Sequence, residues 1–225
     1  MKPLSTSLII GFLLMGLSCT KPKIDQKEQP FSESTYAVEV KGKWMLPDFT
    51  VPAGVHFTTF AGMVHNSNGA LWEAGKQATT GIENVAETGS IGVVLAEIDS
   101  VIRSKNALSL ILFTPPSATG SKSITIHCNS NYSYVSMASM IAPSPDWFIG
   151  LSKLNLYAHK KWVADTTVQL FVYDAGTEDG DVFGYSNPPT LPQQPVKLLD
   201  ASSATVLANG NSSLKAIAEV RLRKL

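Results

Sequence analysis

The sequence predicts a mainly β protein, an antiparallel β-sandwich with a helical insertion around residues 70–104. Short apolar stretches recur along most of the chain, separated by Gly, Asn and Pro, which is typical of sandwiches and barrels. Helical periodicity is confined to one region. Hydrophobic residues make up 44% and charged residues 16% of the 225 residues, enough for one large core.

The charge balance excludes one broad class of function. Lys and Arg together number 18, as do Asp and Glu, so the formal net charge is zero. Proteins that bind nucleic acid normally carry a basic stripe that displaces counterions from the phosphates. We therefore expect no nucleic-acid partner.

The N-terminus has the features of a targeting segment. Lys2 precedes a short apolar run, residues 8–17, which is too short for an ordinary membrane-spanning helix. The run ends before Cys19 in a sequence similar to the lipobox of bacterial lipoproteins. We predict a signal peptide at 1–18, lipidation of Cys19 and anchorage in the outer membrane of a bacterial cell envelope, facing the periplasm or the medium. The alternative is an ordinary secretory signal with a chance cysteine.

A flexible tether is expected at residues 19–35 and the folded domain at 36–225. The tether is rich in Lys, Gln, Glu and Pro and has little to bury. If Cys19 is lipidated, Cys128 has no disulfide partner, so it is predicted to be a small buried residue. His127, its neighbour in a strand, should point to the opposite face.

Strands follow one another through the predicted domain. Tyr36–Trp44 alternates apolar and polar residues, and Val55–His65 leads into a turn. The uniformly apolar Ala107–Phe113 is predicted to be a buried strand or a buried helical turn. Further strands are predicted at Ser123–Cys128, Tyr132–Ile141, Phe148–Leu156, Val168–Tyr173, Val196–Asp200 and Ala216–Leu222.

Two helical stretches form the insertion. Apolar residues from Leu71 to Ala86 predict a helix broken by glycines, and Ile91–Ile102 predicts a second helix. The acids Glu83, Glu87 and Glu97 are interpreted as a solvated helix face.

Two acidic turns stand out among the loops. Ser144–Trp147 holds Asp146 beside prolines that stiffen the backbone, with Trp147 and Phe148 placed to anchor it in the core. The turn after Tyr173 carries three more acids, Asp174, Glu178 and Asp179. We predict that the two turns meet. A simpler alternative is that Asp174 and Asp179 only cap their own turns.

Six motifs in register carry a resemblance to a known family. They are His56–Phe60, Val64–Asn66, Leu71–Gly75, Ala86–Gly89, Ser144–Gly150 and Tyr173–Thr177. Together they make residues 36–225 resemble the spondin N-terminal domain, the module of F-spondin and mindin. The resemblance implies a sandwich similar to the calcium-dependent modules of synaptotagmin type, and extracellular binding or adhesion.

The resemblance also implies a divalent-cation site. Carried over by position, its ligands are Asp146, Asp174 and Glu178. Glu178 stands where the family has aspartate and Asp179 follows it, so either Glu178 or Asp179 is the third ligand. Calcium takes about 6–8 oxygen ligands in flexible geometry, which suits carboxylates from two loops. Neither turn contains His or Cys, which makes zinc or copper less suitable.

The expected function is therefore binding without catalysis, with calcium as the cofactor. The expected partner is an envelope or extracellular protein, a polysaccharide or a lipid head group, together with the membrane through Cys19. Two alternatives stay open: a surface glycan hydrolase that uses the acidic cluster as an acid/base pair, and a structural subunit of an envelope assembly. The sequence does not indicate the oligomeric state.

Overall fold

Two antiparallel β-sheets, neither closed into a barrel, pack face to face, as the sequence predicts. The computed structural model describes residues 31–115, 117–199, 206–208 and 215–225. The predicted signal peptide, Cys19 and the tether up to residue 30 lie outside the described residues. Among the residues described, no helix is long and apolar enough to cross a membrane.

The secondary-structure elements follow one another closely along the chain. In chain order they are β1 (Glu33–Gly42), β2 (His56–Phe57), β3 (Phe60–His65), α1 (Thr80–Thr88), α2 (Gly92–Arg103), β4 (Ala107–Phe113), β5 (Ser121–Asn129), β6 (Tyr134–Ala142), β7 (Trp147–Asn155), β8 (Tyr157–Ala158), β9 (Lys161–Trp162), β10 (Asp165–Leu170), β11 (Val172–Asp174), β12 (Lys197–Leu198), a 3-10 turn (Val206–Ala208) and β13 (Ala218–Lys224).

The strands divide into two main sheets and a small hairpin. The smaller sheet has the order β10-β13-β1-β5, and the larger has the order β12-β11-β7-β6-β3-β4, with β2 also paired to β6. Strands β8 and β9 form a separate hairpin. The larger sheet therefore ends at β12 on one side and at β4 on the other.

The main core lies between the two sheets. On β1 the alternating residues Tyr36, Val38 and Val40 are fully buried, and they share this core with Trp147 and Ile149 of β7. Alternate side chains of a strand point to opposite faces, so the predicted alternation in β1 is what places one apolar row inward.

A second, smaller core lies under the two helices. Ile82 and Val85 of α1 and Val94 and Ile98 of α2 pack with residues of the large sheet that include Phe148. The large sheet is therefore covered on both faces, by the small sheet and by the helices.

Helix α1 begins later than predicted. Thr79 caps it by accepting a hydrogen bond from Ile82 N at 3.2 Å. The preceding residues form a connection that the Gly75 N–H and the Lys76 C=O tie to Val196 at 2.8 Å each. The prediction is therefore wrong for the first half of this helix, because main-chain groups there form hydrogen bonds with Val196 and not within a helix.

The predicted strand Val168–Tyr173 is in fact two strands in different sheets. Leu170 of β10 pairs with Ala218 in the small sheet, whereas Val172 of β11 pairs with Ile149 in the large sheet. The chain changes sheets at Phe171. This crossing carries the following residues, including Asp174, to the end of the large sheet beside the start of β7.

Two other boundaries differ from the predictions. Strand β1 begins at Glu33, and Glu33, Ser34 and Thr35 pair with β5. The last three residues assigned to the tether are therefore part of the sheet. Strand β4 has the predicted bounds, but it is not fully buried, because it is the edge of its sheet.

Candidate functional site

The two acidic turns meet at one end of the large sheet, as predicted. Strand β11 pairs with β7 so that Asp174 lies opposite Trp147. The Ala175 N–H then donates a 3.0 Å hydrogen bond to the Asp146 C=O. Residues that are distant in the sequence are thus joined by their main chains.

The loop before β7 is rigid and anchored. Trp147 and Phe148 are fully buried, which confirms their predicted role as anchors. The Ser144 hydroxyl is also buried, and it accepts a hydrogen bond from Trp147 N at 3.3 Å. Asp146 is therefore held between fixed neighbours.

Asp146 is fully buried, and its two carboxylate oxygens have different surroundings. Oδ2 accepts hydrogen bonds from Thr177 N (2.7 Å), Glu178 N (3.1 Å) and the Thr177 hydroxyl (3.3 Å). Oδ1 has no hydrogen-bond partner among the described residues. A buried acceptor without a partner is uncommon, because its desolvation is uncompensated.

The surroundings of Asp146 disfavour its charged form. Burial, and after it the negative charge of Asp174, raise the pKa of Asp146 to about 6, although the hydrogen bonds from Thr177 and Glu178 oppose the change. The ordinary pKa of an aspartate is 3.8. A nearby positive charge would favour ionised Asp146.

Asp174 caps its own turn and also faces a lysine. Its Oδ1 accepts a 2.7 Å hydrogen bond from Gly176 N, which is the turn-capping role considered as an alternative. Its Oδ2 lies 3.4 Å from Lys197 Nζ. The capping bond leaves Oδ2 as the oxygen available to another charged group.

Glu178 and Asp179 point to different partners. Glu178 Oε2 accepts a 3.1 Å hydrogen bond from Asn187. Burial and the charge of Asp146 raise the pKa of Glu178, while the bonds from Asn187 act in the opposite direction. Asp179 is exposed and accepts a hydrogen bond from the Thr190 hydroxyl. Glu178 is therefore the neighbour of Asp146, and Asp179 belongs to the next loop.

Glu87 is a further acid at this site that the sequence interpretation placed on a solvated face. It lies in the last turn of α1. Burial raises the pKa of Glu87, as do the charges of Glu178 and Glu83, and a hydrogen bond with Thr177 opposes the change. The carboxyl end of a helix also repels an anion. The sequence does hold one signal for this placement. Gly89 ends α1 in the left-handed conformation, and a glycine two positions after Glu87 indicates that Glu87 lies in the last turn of the helix.

A shallow groove of about 500 Å³ runs beside the cluster. Its lining includes Asp174, Glu178, Asp179, Asp181, Thr190 and Lys197, and its described lining contains no aromatic side chain. As the side chains lie, no three His, Cys, Asp or Glu residues in the described part of the chain converge closely enough to hold a metal ion by themselves.

A buried histidine and a buried cysteine have structural roles. His65 is fully buried, with Nδ1 2.7 Å from the Asn66 C=O and Nε2 2.8 Å from the Ser136 hydroxyl. Burial lowers the pKa of His65. Cys128 is buried and His127 exposed, as predicted for opposite strand faces, and burial raises the pKa of the Cys128 thiol to about 12.

Comparison with known proteins identifies the domain. The Spondin_N family model matches residues 34–210. Human Spondin-2 is 30% identical over 183 residues, which cover 77% of this chain and 55% of the relative. Chicken Spondin-1 is 30% identical over 181 residues, 76% of this chain and 22% of the relative. The chain thus spans about half of Spondin-2 and about a fifth of Spondin-1. It belongs to the Spondin_N family.

Proposed function

We propose that this protein is a lipid-anchored binding and adhesion module of the bacterial cell envelope, and that calcium bound between its two acidic turns orders the binding surface. The observation that carries the proposal is the buried Asp146 carboxylate, which has further acids nearby and one oxygen with no partner among the described residues. Membership of the Spondin_N family supports the binding role.

The chemistry of the cluster fits a hard divalent cation. Asp146, Asp174 and Glu178 would hold the ion, and Glu87 would add negative potential. Several carboxylates close to one another repel unless a cation neutralises them. Calcium completes its shell of about 6–8 oxygens with main-chain carbonyls and water, so three carboxylates need not form the whole site.

Bound calcium would supply charge neutralisation between the two turns. The chain's own residues would then hold the loop at Asp146 against the turn from Asp174 to Asp179, and with it the wall of the groove. A surface ordered in this way suits an extracellular or envelope protein, a polysaccharide or a lipid head group as the partner.

The glycan hydrolase is less well supported. An acid/base pair must flank an open cleft so that both carboxyl groups reach the substrate. Asp146 is fully buried, and the described lining of the groove offers no aromatic platform for a sugar ring. These features favour binding without catalysis. A structural role in an envelope assembly would use the same surface with a permanent partner.

The calcium site is tested by calorimetry and thermal unfolding with calcium and with chelator. We expect heat of binding and a calcium-dependent rise in Tm for the wild type, both lost in Asp146→Asn and Asp174→Asn. The matched control is Asp99→Asn, which changes an exposed acid paired with Arg103 on α2. If calcium leaves the wild type unchanged, or if the control loses the response equally, the cation site is wrong.

Anchoring and partner binding need separate tests. Palmitate labelling lost in Cys19→Ala, together with globomycin-sensitive processing, is the result expected of a lipoprotein. Pull-down from envelope extracts with and without chelator tests the binding function. A partner retained equally in both conditions would argue against a calcium-ordered surface.

A further inference from the structure

The hairpin of β8 and β9 has an unusual turn. Ala158 pairs with Lys161, so His159 and Lys160 alone form the loop, and their φ angles are 51° and 62°. A two-residue turn with positive φ at both positions is normally built from Asn and Gly, because a Cβ is strained in the left-handed region. In this hairpin two large, exposed side chains take the strained positions.

Within the described part of the chain, every other non-glycine residue with a left-handed φ is a lysine. Lys105 has a φ of 59° and Lys153 a φ of 52°. Gly, Asn and Asp are the residues that adopt this conformation routinely, yet none of the four positions has Asn or Asp. Strained residues cluster at functional sites. The feature that the four positions share is a basic side chain, so the side chain indicates the function.

The turns at Lys105 and at the hairpin lie at the same end of the sandwich. Leu156, which joins β7 to the hairpin, donates a 2.8 Å main-chain hydrogen bond to the Ser133 C=O. Tyr132, the residue before Ser133, donates from its hydroxyl to the Lys105 C=O at 3.0 Å. Two adjacent residues therefore hold both turns.

These two turns present basic side chains that no acid pairs with in the described part of the chain. Four of them are exposed, and none forms an ion pair. Lys153 differs, because its Nζ lies 3.8 Å from the Glu73 carboxylate. We call the four exposed residues the basic end: Lys105, His159, Lys160 and Lys161.

The chain enters the domain at this end. Trp162, which closes the hairpin, donates from its indole N–H to the Ser32 hydroxyl at 2.9 Å, and its ring centroid lies 6.2 Å from that of Tyr36 on β1. The chain from Cys19 reaches the domain at these residues. A flexible tether of that length, as the sequence predicts, would span about 20 Å on average. With the lipid that we propose on Cys19, the basic end is the end next to the membrane.

The acidic turns lie at the opposite end of the sandwich. Asp146 directly precedes β7 and the hairpin follows that strand, whose nine residues span about 25–30 Å. The formal net charge of zero therefore includes a separation of charge, with the acidic cluster at one end and the basic end at the other. An anionic surface attracts the second and repels the first, which favours one orientation of the domain.

We infer that the basic end docks on the anionic phospholipid head groups of the membrane that carries the lipid anchor. Lysines bind phosphate groups through their charge, and a basic patch adds to the membrane affinity of a lipid anchor. The inference rests on the anchor proposed at Cys19 and is independent of calcium. It also narrows the partner of the acidic turns, because turns held away from the bilayer face a protein or a polysaccharide and not the head groups of that membrane.

Vesicle sedimentation tests the docking without the lipid. The mature chain from residue 19, carrying Cys19→Ser, is mixed with vesicles of phosphatidylcholine alone or of equal parts phosphatidylcholine and phosphatidylglycerol. We expect binding to the anionic vesicles only, and weaker binding as salt is raised. Each lysine near an anionic surface contributes about fivefold to partitioning, so Lys160→Gln should weaken binding about fivefold.

The matched control is Lys122→Gln, which removes the same charge from another exposed lysine. Lys122 lies near the start of β5, whereas the basic end lies beyond the last residue of that strand, Asn129. This variant should bind the anionic vesicles like the wild type. An equal loss of binding in Lys122→Gln and Lys160→Gln overturns the inference, because the attraction would then depend on total charge.

A double variant separates docking from folding. His159→Asn with Lys160→Gly gives the hairpin the residues that its turn geometry prefers, so Tm should rise. Binding to anionic vesicles should nevertheless fall about fivefold, as in Lys160→Gln. If the double variant binds the vesicles as tightly as the wild type, the basic side chains have no part in docking and the inference is wrong.

Two further results would overturn the inference. One is equal binding to neutral and anionic vesicles. The other is no binding to anionic vesicles, and binding of inorganic phosphate or polyglutamate in their place would assign the basic end to a soluble anion or an acidic protein. Palmitate labelling of Cys19 is measured separately. Loss of the label with vesicle binding unchanged would therefore refute the anchor and not the docking.

Discussion

Replacing Asp146 with asparagine should stabilise the calcium-free protein at neutral pH. The folded pKa of about 6 exceeds the ordinary value of 3.8, so the folded state holds its proton more tightly than the unfolded state does. Such a group adds most stability below pH 4, and that contribution is lost as the pH rises through 6. At about 1.4 kcal/mol per pKa unit, ionised Asp146 costs the folded protein about 3 kcal/mol at pH 7.

Asparagine keeps the shape of the side chain and removes the charge. Its carbonyl oxygen can still accept hydrogen bonds from Thr177 N and Glu178 N. Its amide group takes the place of Oδ1, for which the described residues provide no partner. The unpartnered amide costs about 1–2 kcal/mol, so the expected net gain for Asp146→Asn is about 1–2 kcal/mol at pH 7 in chelator. At pH 4, where Asp146 is protonated, the wild type should be at least as stable as the variant.

Calcium should reverse this order at pH 7. A ligand that binds only the folded state stabilises it by about 2.7 kcal/mol at 100 times its Kd, and the variant should lack this gain. Protons compete for the same carboxylate, so the calcium affinity of the wild type should fall as the pH drops below 6.

Urea unfolding at pH 4, 5, 6 and 7, with and without calcium, measures each of these quantities. The control is Asp165→Asn. Asp165 is exposed, and its hydrogen bond with Arg221 lowers the pKa of Asp165, so the pH dependence that it contributes has the opposite sign. The prediction is wrong if, in chelator, Asp146→Asn lowers the free energy of unfolding relative to the wild type by as much at pH 7 as at pH 4. The ionised, buried carboxylate would then cost the folded protein nothing.

Three further substitutions probe the same end of the molecule. Glu87→Gln should weaken calcium binding severalfold, as measured by calorimetry, with little change in fold. Glu83→Gln, one turn earlier on α1, should weaken calcium binding less. Equal losses of affinity would argue against a place for Glu87 at the site. Lys197→Met should strengthen calcium binding, since it removes the cation 3.4 Å from Asp174, and an unchanged affinity would show that the lysine does not compete. Gly176→Ala should lower the free energy of unfolding by about 1–3 kcal/mol. Gly176 has a φ of 75°, and an added Cβ would lie 2.2 Å from the main-chain carbonyl oxygen of Gln194. An unfolding curve like that of the wild type would contradict this prediction.

The shape of each acidic turn could be predicted because its causes are local. Prolines and the buried pair Trp147 and Phe148 hold the first turn, and glycines shape the second. What the sequence does not show is how the turns come together. That depends on the change of sheets at Phe171, where an apolar run that looks like one strand divides between two sheets.

The features that were missed depend on contacts between distant elements. Glu87 looks like an exposed helix acid until α1 packs on the large sheet and brings its last turn to Glu178. Strand β4 looks fully buried because its residues are apolar on both faces. Periodicity alone cannot separate a central strand from an edge strand.

The placement of a carboxylate at Asp146 is itself an argument about function. A side chain needed only to hold the turn would accept the hydrogen bonds of Thr177 and Glu178 equally well as an amide, without a cost that grows with pH. The carboxylate instead has one oxygen that finds no partner in the described part of the chain, in a site where burial and Asp174 both oppose its charge. In the calcium site that we propose, the bound cation would offset that cost, which would account for Asp174 lying close enough to oppose the charge of Asp146.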